Sequence, residues 1–274
     1  MDFLIKRFLK ILILVTCAVG CTKNVLSSST SSPTDDSLLI DAKVAINSFN
    51  YQTAIDIVTT EMSAQAQAQA DVKEVLASAY AGKCGLNFVM YLDSLSQATS
   101  GTGFKLMMTP FVGIPADPSS CLAALNTLET IGTSAQRTAN ENAFAAVVGM
   151  SLLGSQVRVA VDTAPVNGNG TIDGNVCAMT DAQIDNVILG FGHMIQNFSF
   201  LTLQQMGSGS QTAINTLINV CTSIPGVTSC TITDATQITQ PLRDTMRDLL
   251  NTDDYGVGAV HTGGNAVQIA GACP

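Results

Sequence analysis

From residue 37 onward, apolar positions recur every three or four residues, the spacing that lines one face of an α-helix. Leu38, Ala42, Ala45, Ile46 and Phe49 form one set, Asn50-Tyr51 interrupts it, and Ala54, Ile55, Val58 and Met62 resume on a second face. Two short helices with a tight turn are predicted. Val72, Leu76, Ala79 and Tyr80 repeat the arrangement, with a break over 82–85 before Phe88, Val89, Leu92 and Leu95. Helical spacing returns at 119–131 and again from Ser134. Over 143–154 the chain reads AFAAVVGMSLLG, apolar on every side, which marks a helix surrounded by others. Thr180 with Gln183 three residues on has the form of a capping box, opening a helix that runs through Val187, Ile188, Phe191, Met194, Ile195 and Phe198 toward Met206. Further helices are expected at 212–220 and 240–250, the latter with Pro241 in its first turn.

Two departures from this pattern carry information. Residues 99–118 hold Gly101, Gly103, Pro110, Gly113, Pro115 and Pro118, yet Phe104, Leu106, Met107, Met108 and Phe111 make the stretch apolar. It reads as a strap packed on the helix surface, with a lid over an apolar groove as the rival. Gly149 and Gly154 in one helix, and Gly190 and Gly192 in another, lower helix propensity, which close packing of those two backbones would explain.

Ala45, Ile46 and Tyr51 correspond to Ala79, Tyr80 and Gly85, each 34 residues on. With Leu76-Ala77, Tyr80 and Gly82, and with Phe49-Asn50-Tyr51 followed by Ala54, this stretch resembles the tetratricopeptide family. The family's aromatic opening position and closing proline are missing. The resemblance covers about a quarter of the chain and implies an all-α fold of stacked α-hairpins around buried central helices, with an extended binding surface.

The 274 residues include no tryptophan and only 5% aromatics, so the core must come from Ala, Val, Ile, Leu and Met, which favours helix on helix packing. The N-terminus adds an address. Lys6, Arg7 and Lys10 precede the apolar run 11–15, and Ala18-Val19-Gly20 leads to Cys21. This resembles a bacterial lipoprotein signal, with Gly20 the accepted small residue and Cys21 acylated as the first mature residue. Cys17 is a rival cleavage site, but Thr16 precedes it. The resemblance implies attachment in the bacterial cell envelope, and Thr22 in place of Asp implies the outer membrane. The apolar run is far shorter than a spanning helix needs. Residues 1–20 are therefore read as a signal, 21–36 as a polar tether and 37–274 as a helical domain, with 37–98 its tetratricopeptide-like part.

Without the signal, 9 basic residues face 20 acidic ones, a formal charge of −11, which excludes nucleic acid as a partner. Six cysteines remain in a compartment that permits disulfides, and fifteen pairings are open to them. Pro225-Gly226 turns the chain between Cys221 and Cys230 and makes that pair the first choice, leaving Cys84 with Cys121 and Cys177 with Cys273 by default.

Candidate chemistry is sparse. Over 166–173 the chain reads VNGNGTID, and Asn167, Asn169, Gly170 and Asp173 fall on the third, fifth, sixth and ninth positions of a calcium loop. Pro165 and Val176 stand where the first Asp and last Glu belong, so a turn-rich connection is preferred and calcium is the alternative. No other cofactor is indicated. His193 lies within an apolar helix and reads as a core or pocket residue, while His261 has no recognisable partner. No nucleophile elbow, His-Glu-x-x-His pair or phosphate loop occurs, so no enzyme activity is expected. Two functions fit: a non-catalytic module that binds an envelope protein, or a carrier holding an apolar ligand among Met107, Met108, Phe144, Phe191 and Met194.

Overall fold

The computed structural model describes residues 33–97, 103–201, 231–252, 256–257 and 273. Cys21, Cys221, Cys230, His261 and the helix expected at 212–220 lie outside these residues. The fold is all-α, with no strand among the described residues. Among the described residues ten α-helices follow in order: α1 Asp35–Asn47, α2 Tyr51–Asp56, α3 Ala64–Gln67, α4 Ala70–Lys83, α5 Phe88–Gln97, α6 Gly103–Met108, α7 Pro118–Glu129, α8 Ala139–Val161, α9 Asp181–Phe198 and α10 Gln240–Leu250.

The hairpin predicted over 38–62 forms from α1 and α2, which continues as one π-helical turn over Ile57–Glu61. Thr34 caps α1 by accepting from the Ser37 amide, so Asp35 and Asp36, assigned to the tether by composition, form the first helical turn instead. Their charge favours a helix N-terminus. Asp35 also accepts from the Ser63 amide at 2.8 Å and hydroxyl at 2.6 Å, which ties the start of α1 to the start of α3. Leu38, Ala42, Ala54, Val58 and Met62 then pack with Val72, Val75 and Ala79 of α4 into a core of their own.

Helix α4 is the junction, because its other buried face joins a second set. Ala77 meets Leu128 and Ala145, and Ala81 belongs to the main core. Its principal neighbour beyond the hairpin is α7, whereas α5 lies on the short 3-10 turn Thr109–Phe111. Cys84 at the end of α4 is bonded to Cys121 of α7, with Cα atoms 5.1 Å apart, and the Ser155 hydroxyl of α8 lies 3.9 and 3.7 Å from the two sulfurs. Gly85, at φ +104°, turns the chain out of α4 where an added Cβ would stand 2.9 Å from the Pro115 carbonyl.

The most extensive helix contact among the described residues joins α8 to α9. Both begin at capping boxes, Thr138 with Glu141 and Thr180 with Gln183. Helix α8 is long and apolar enough to cross a membrane by length and composition, with mean hydropathy 1.6, but 78% of that window is buried against the other helices. Its all-round apolar surface is that of a central helix. The expected backbone approach occurs between one glycine of each pair. A Cβ on Gly149 would lie 2.8 Å from the Gly190 carbonyl oxygen, and one on Gly190 would lie 2.7 Å from that of Gly149. The other two glycines serve different neighbours: Gly154 admits the backbone of Met107, and Gly192 that of Ile232.

Of the stretch expected over 99–118, residues 103–118 take the strap form. They coil into α6 and the 3-10 turn, and bury Phe104, Met107, Met108 and Phe111 against α8. Helix α10 closes the other side of α9 through two arginines. Arg243 forms a two-bond pair with Asp185 at 2.7 and 2.9 Å, while Arg247 reaches Asp181 and the Met179 carbonyl. Cys177 is bonded to Cys273, so the end of the chain is held to the residues that precede α9.

Candidate functional site

The turn between α1 and α2 sets the geometry of a groove. The Asn50 amide donates to the Ala45 carbonyl and the Phe49 amide to that of Ile46, a closure that leaves Phe49 in the left-handed region at φ +60°. A non-glycine residue there is uncommon. The turn points the Phe49 ring outward, 68% exposed, while Tyr51 stands edge-on to it with ring centroids 6.2 Å apart. Tyr51 in turn lies directly on Gly82 of α4, where any Cβ would collide with its ring. Lys83 Nζ donates to Gln52 Oε1 at 2.8 Å and holds the two helices in this register.

Two lobes open around this junction. The larger, about 670 Å³, runs between the end of α1, α4, the start of α5 and the start of α8, and its walls include Ile46, Ala81, Leu86, Phe88, Ala143 and Phe144. The smaller, about 250 Å³, lies on the other side of Tyr51 and Gly82 and is walled by Met90, Tyr91, Pro110, Ile114 and Pro115. Phe49, Tyr51, Gly82, Leu86 and Asn87 belong to both. None of the described residues lining either lobe is charged. Hydrogen bonding is offered by Asn47, Ser78 and Asn140 in the larger lobe and by Asn87 at the junction. Burial raises the Tyr51 phenol above its ordinary pKa, so it too is neutral. Phe49, Phe88, Val89 and Met90 form an exposed apolar rim, Val89 at 75% exposure.

Sequence reasoning chose a different set of apolar residues for a pocket. Met107, Met108, Phe191 and Met194 are buried members of the main core, and Phe191 stacks on Phe104 with ring centroids 6.3 Å apart. Of the five named residues, Phe144 alone lines the groove. Phe49, Tyr51 and Phe88, which the sequence places in the helical pattern and not in a pocket, line the groove together with Asn140. Their signal was present in the aromatic pair that interrupts the 38–62 pattern, and in the run Phe88-Val89-Met90-Tyr91, which carries more apolar residues than one helix face can bury.

The oxygens of the 162–173 connection point at its own backbone. Asp162, fully buried, accepts from the Asn169 and Gly170 amides at 2.9 and 2.8 Å. Asp173 accepts from the Thr163 amide and hydroxyl and from the Ala164 amide, each at 2.8 Å, and these bonds hold its carboxyl below the usual range. Asn169 Oδ1 accepts from the Thr171 amide, and the Asn167 carbonyl from the Gly113 amide. Among the described residues no group of three or more His, Cys, Asp or Glu side chains is placed to hold a metal ion. The loop is a self-capped turn that also anchors the strap, since buried Arg158 reaches the Val166 and Ile114 carbonyls.

His193 sits 1% exposed in a polar cluster beneath the α8–α9 contact. Arg137 bonds Glu129 at 3.1 Å, Asn197 Oδ1 at 2.6 Å and Asn142 Oδ1 at 3.3 Å, and Asn197 donates to the His193 carbonyl at 2.7 Å. Burial first, then the Arg137 charge, lowers the imidazole pKa to about 4. The Glu129 carboxylate stands 3.6 Å from His193 Nδ1, but it is committed to Arg137, so the imidazole is neutral near pH 7. The cluster joins α7, α8 and α9 and opens onto neither lobe of the groove.

No protein-family model, curated protein or solved structure matches the chain.

Proposed function

We propose that this protein is a lipid-anchored lipoprotein of the bacterial envelope, held by Cys21 at the outer membrane, and that it works as a non-catalytic binding module through the groove around Tyr51 and Gly82. The observation that carries the binding role is a concave apolar surface with no charged lining residue among those described, rimmed by exposed Phe49, Phe88, Val89 and Met90. Contiguous exposed apolar surface of this kind marks interaction sites. Among the described residues, the titratable groups lining the groove are tyrosines whose hydroxyls burial keeps protonated, which gives acid–base chemistry no foothold there. The occupant is an envelope protein segment or an apolar small molecule. The second reading is favoured by volume, since about 670 Å³ falls within the range of small-molecule sites.

Two measurements in cells test the proposal. Labelled palmitate should enter the protein and be lost with Cys21→Ser; incorporation that persists in the variant sinks the anchor. A photo-crosslinking residue at Val89 should capture a specific adduct, protein or lipid, that the same residue at Val166 does not. Val166 is exposed and lies outside the groove. Equal capture at the two sites, or none at Val89, removes the binding role.

A further inference from the structure

Resting on the reading of the groove as a binding site, we infer that its occupant is an uncharged, elongated amphiphile, whose polar head lies in the larger lobe and whose apolar tail crosses the Tyr51–Gly82 junction into the smaller one. Charge is the first argument. The whole chain carries a formal charge of −9, yet no charged side chain lines either lobe among the described residues. An ionic head group would lose its hydration there without gaining a counter-charge. A neutral molecule meets no such cost.

The placement of amide and hydroxyl side chains sets the orientation. Asn47, Ser78 and Asn140 line only the larger lobe, where amide and hydroxyl groups can bond alcohols, esters or amides. Beyond Asn87 and the tyrosines, the smaller lobe is walled by Met90, Ile114, Pro110 and Pro115. The two prolines have no N–H to offer. A peptide segment entering this lobe would bring backbone donors and acceptors that find few partners, and each buried unpaired group is costly. An alkyl tail brings none. The long-chain alcohols and monoacylglycerols are the simplest members of the class that the lobes fit.

The junction is the position that reads length. The Tyr51 ring rests where a Cβ on residue 82 would be, so Gly82→Ala must displace that ring, and the ring forms a wall of both lobes. A ligand short enough to stay in the larger lobe does not cross it.

The test uses the mature chain from residue 21 with Cys21→Ser, secreted through an unrelated cleavable signal, so that it carries neither lipid nor the apolar run 11–15. Because the protein contains no tryptophan, Phe88→Trp at the groove wall supplies a single emission signal. Hexadecanol and monopalmitin should bind saturably at one molecule per chain, and the affinity of straight-chain alcohols should rise with length by up to about fourfold per buried methylene before levelling off. Hexadecyl sulfate and hexadecylamine should bind at least about tenfold more weakly, the effect of one poorly compensated charge. Gly82→Ala should weaken hexadecanol by about tenfold and octanol by less, because only the longer chain must also cross the displaced ring. Native mass spectrometry of the chain with Phe88 intact checks that the tryptophan does not create the site, and circular dichroism checks that the Gly82 variant folds. Equal binding of neutral and ionic analogues, an absence of length dependence, or no retained amphiphile overturns the inference. If amphiphiles fail while the Val89 crosslinker captures a protein, the inference falls and the binding module stands; if both fail, both fall.

Discussion

A methyl group added at Gly190 would lie 2.7 Å from the Gly149 carbonyl oxygen and 2.8 Å from the Leu153 amide nitrogen. Neither atom can swing aside, because both belong to the backbone of α8. We therefore expect Gly190→Ala to separate the two central helices and to destabilise the fold by about 1–3 kcal/mol, the usual cost of forcing volume into a packed core. Thermal unfolding measures it, and an unchanged midpoint would show that the helices are not apposed there. His193, from the same helix, predicts a pH dependence. Its folded pKa, about 4, lies below the ordinary 6.5, so the unfolded chain binds the proton more readily. Stability conferred by the neutral imidazole is complete above about pH 6.5 and declines as pH falls toward 4, with a slope of up to about 1.4 kcal/mol per unit. The carboxyls of Asp117 and Glu141, held below their ordinary values, add their losses at lower pH still. His193→Gln should flatten the upper part of that profile. If the slope between pH 6.5 and 4 is the same in both proteins, the acid sensitivity belongs to another group.

At the scale of elements, local chemistry decided what could be foreseen. Helices α1, α4, α7, α9 and α10 follow their apolar periodicity, and Thr180 with Gln183 forms the reciprocal bonds that their spacing implies. Helix α6 was hidden because Gly101, Gly103 and Pro110 crowd its ends, although the burial of Phe104, Met107 and Met108 is what its composition asks for. The groove was less legible. Its walls come from α1, α4, α5 and α8, separated by up to about a hundred residues, and the side chains in it are of the same types as those in the core. A pocket placed between the glycine-bearing helices and the apolar strap points to Met107, Met108, Phe191 and Met194, all of which are buried in the core. The 162–173 loop shows the converse, since its oxygen-rich spacing resembles a calcium loop while its carboxylates accept from backbone amides. Asp162→Ala should therefore cost about 1–3 kcal/mol by leaving the Asn169 and Gly170 amides unpaired. Calcium and chelator should leave the unfolding temperature of the unaltered protein unchanged; a calcium-dependent rise would mean that these carboxylates exchange their amides for the ion.

Over the whole molecule, one disulfide reinforces the packed pair α4 and α7, and the other holds the chain end to the residues before α9. Helix α4 faces the hairpin core with Val72, Val75 and Ala79 and the main core with Ala81, so the two cores meet through one helix. The Cys84–Cys121 bond fixes the end of that helix to α7, beside the hydrogen bond from the Asp117 amide to the Cys84 carbonyl. The Cys177–Cys273 bond spans 96 residues and holds the chain end against the start of α9, where the Cys273 amide also donates to Asp248 at 2.7 Å. Loop-closure entropy assigns such a span about 5 kcal/mol as an upper bound and the 37-residue span of Cys84–Cys121 about 4. The two bonds should nevertheless fail differently. Loss of Cys177–Cys273 by paired serine substitution should free the chain end and lower stability by about 2–4 kcal/mol, while the α1–α4 hairpin core and the groove, which contain neither cysteine, persist. Loss of Cys84–Cys121 acts beside Gly85 and Pro115, both of which line the smaller lobe, so it should loosen the groove as well as the fold. Hydrogen exchange distinguishes the two cases: amides of α4 and α5 should lose protection in the Cys84/Cys121 variant and keep it in the Cys177/Cys273 variant. Equal loss in both would mean that the two cores unfold as one cooperative unit.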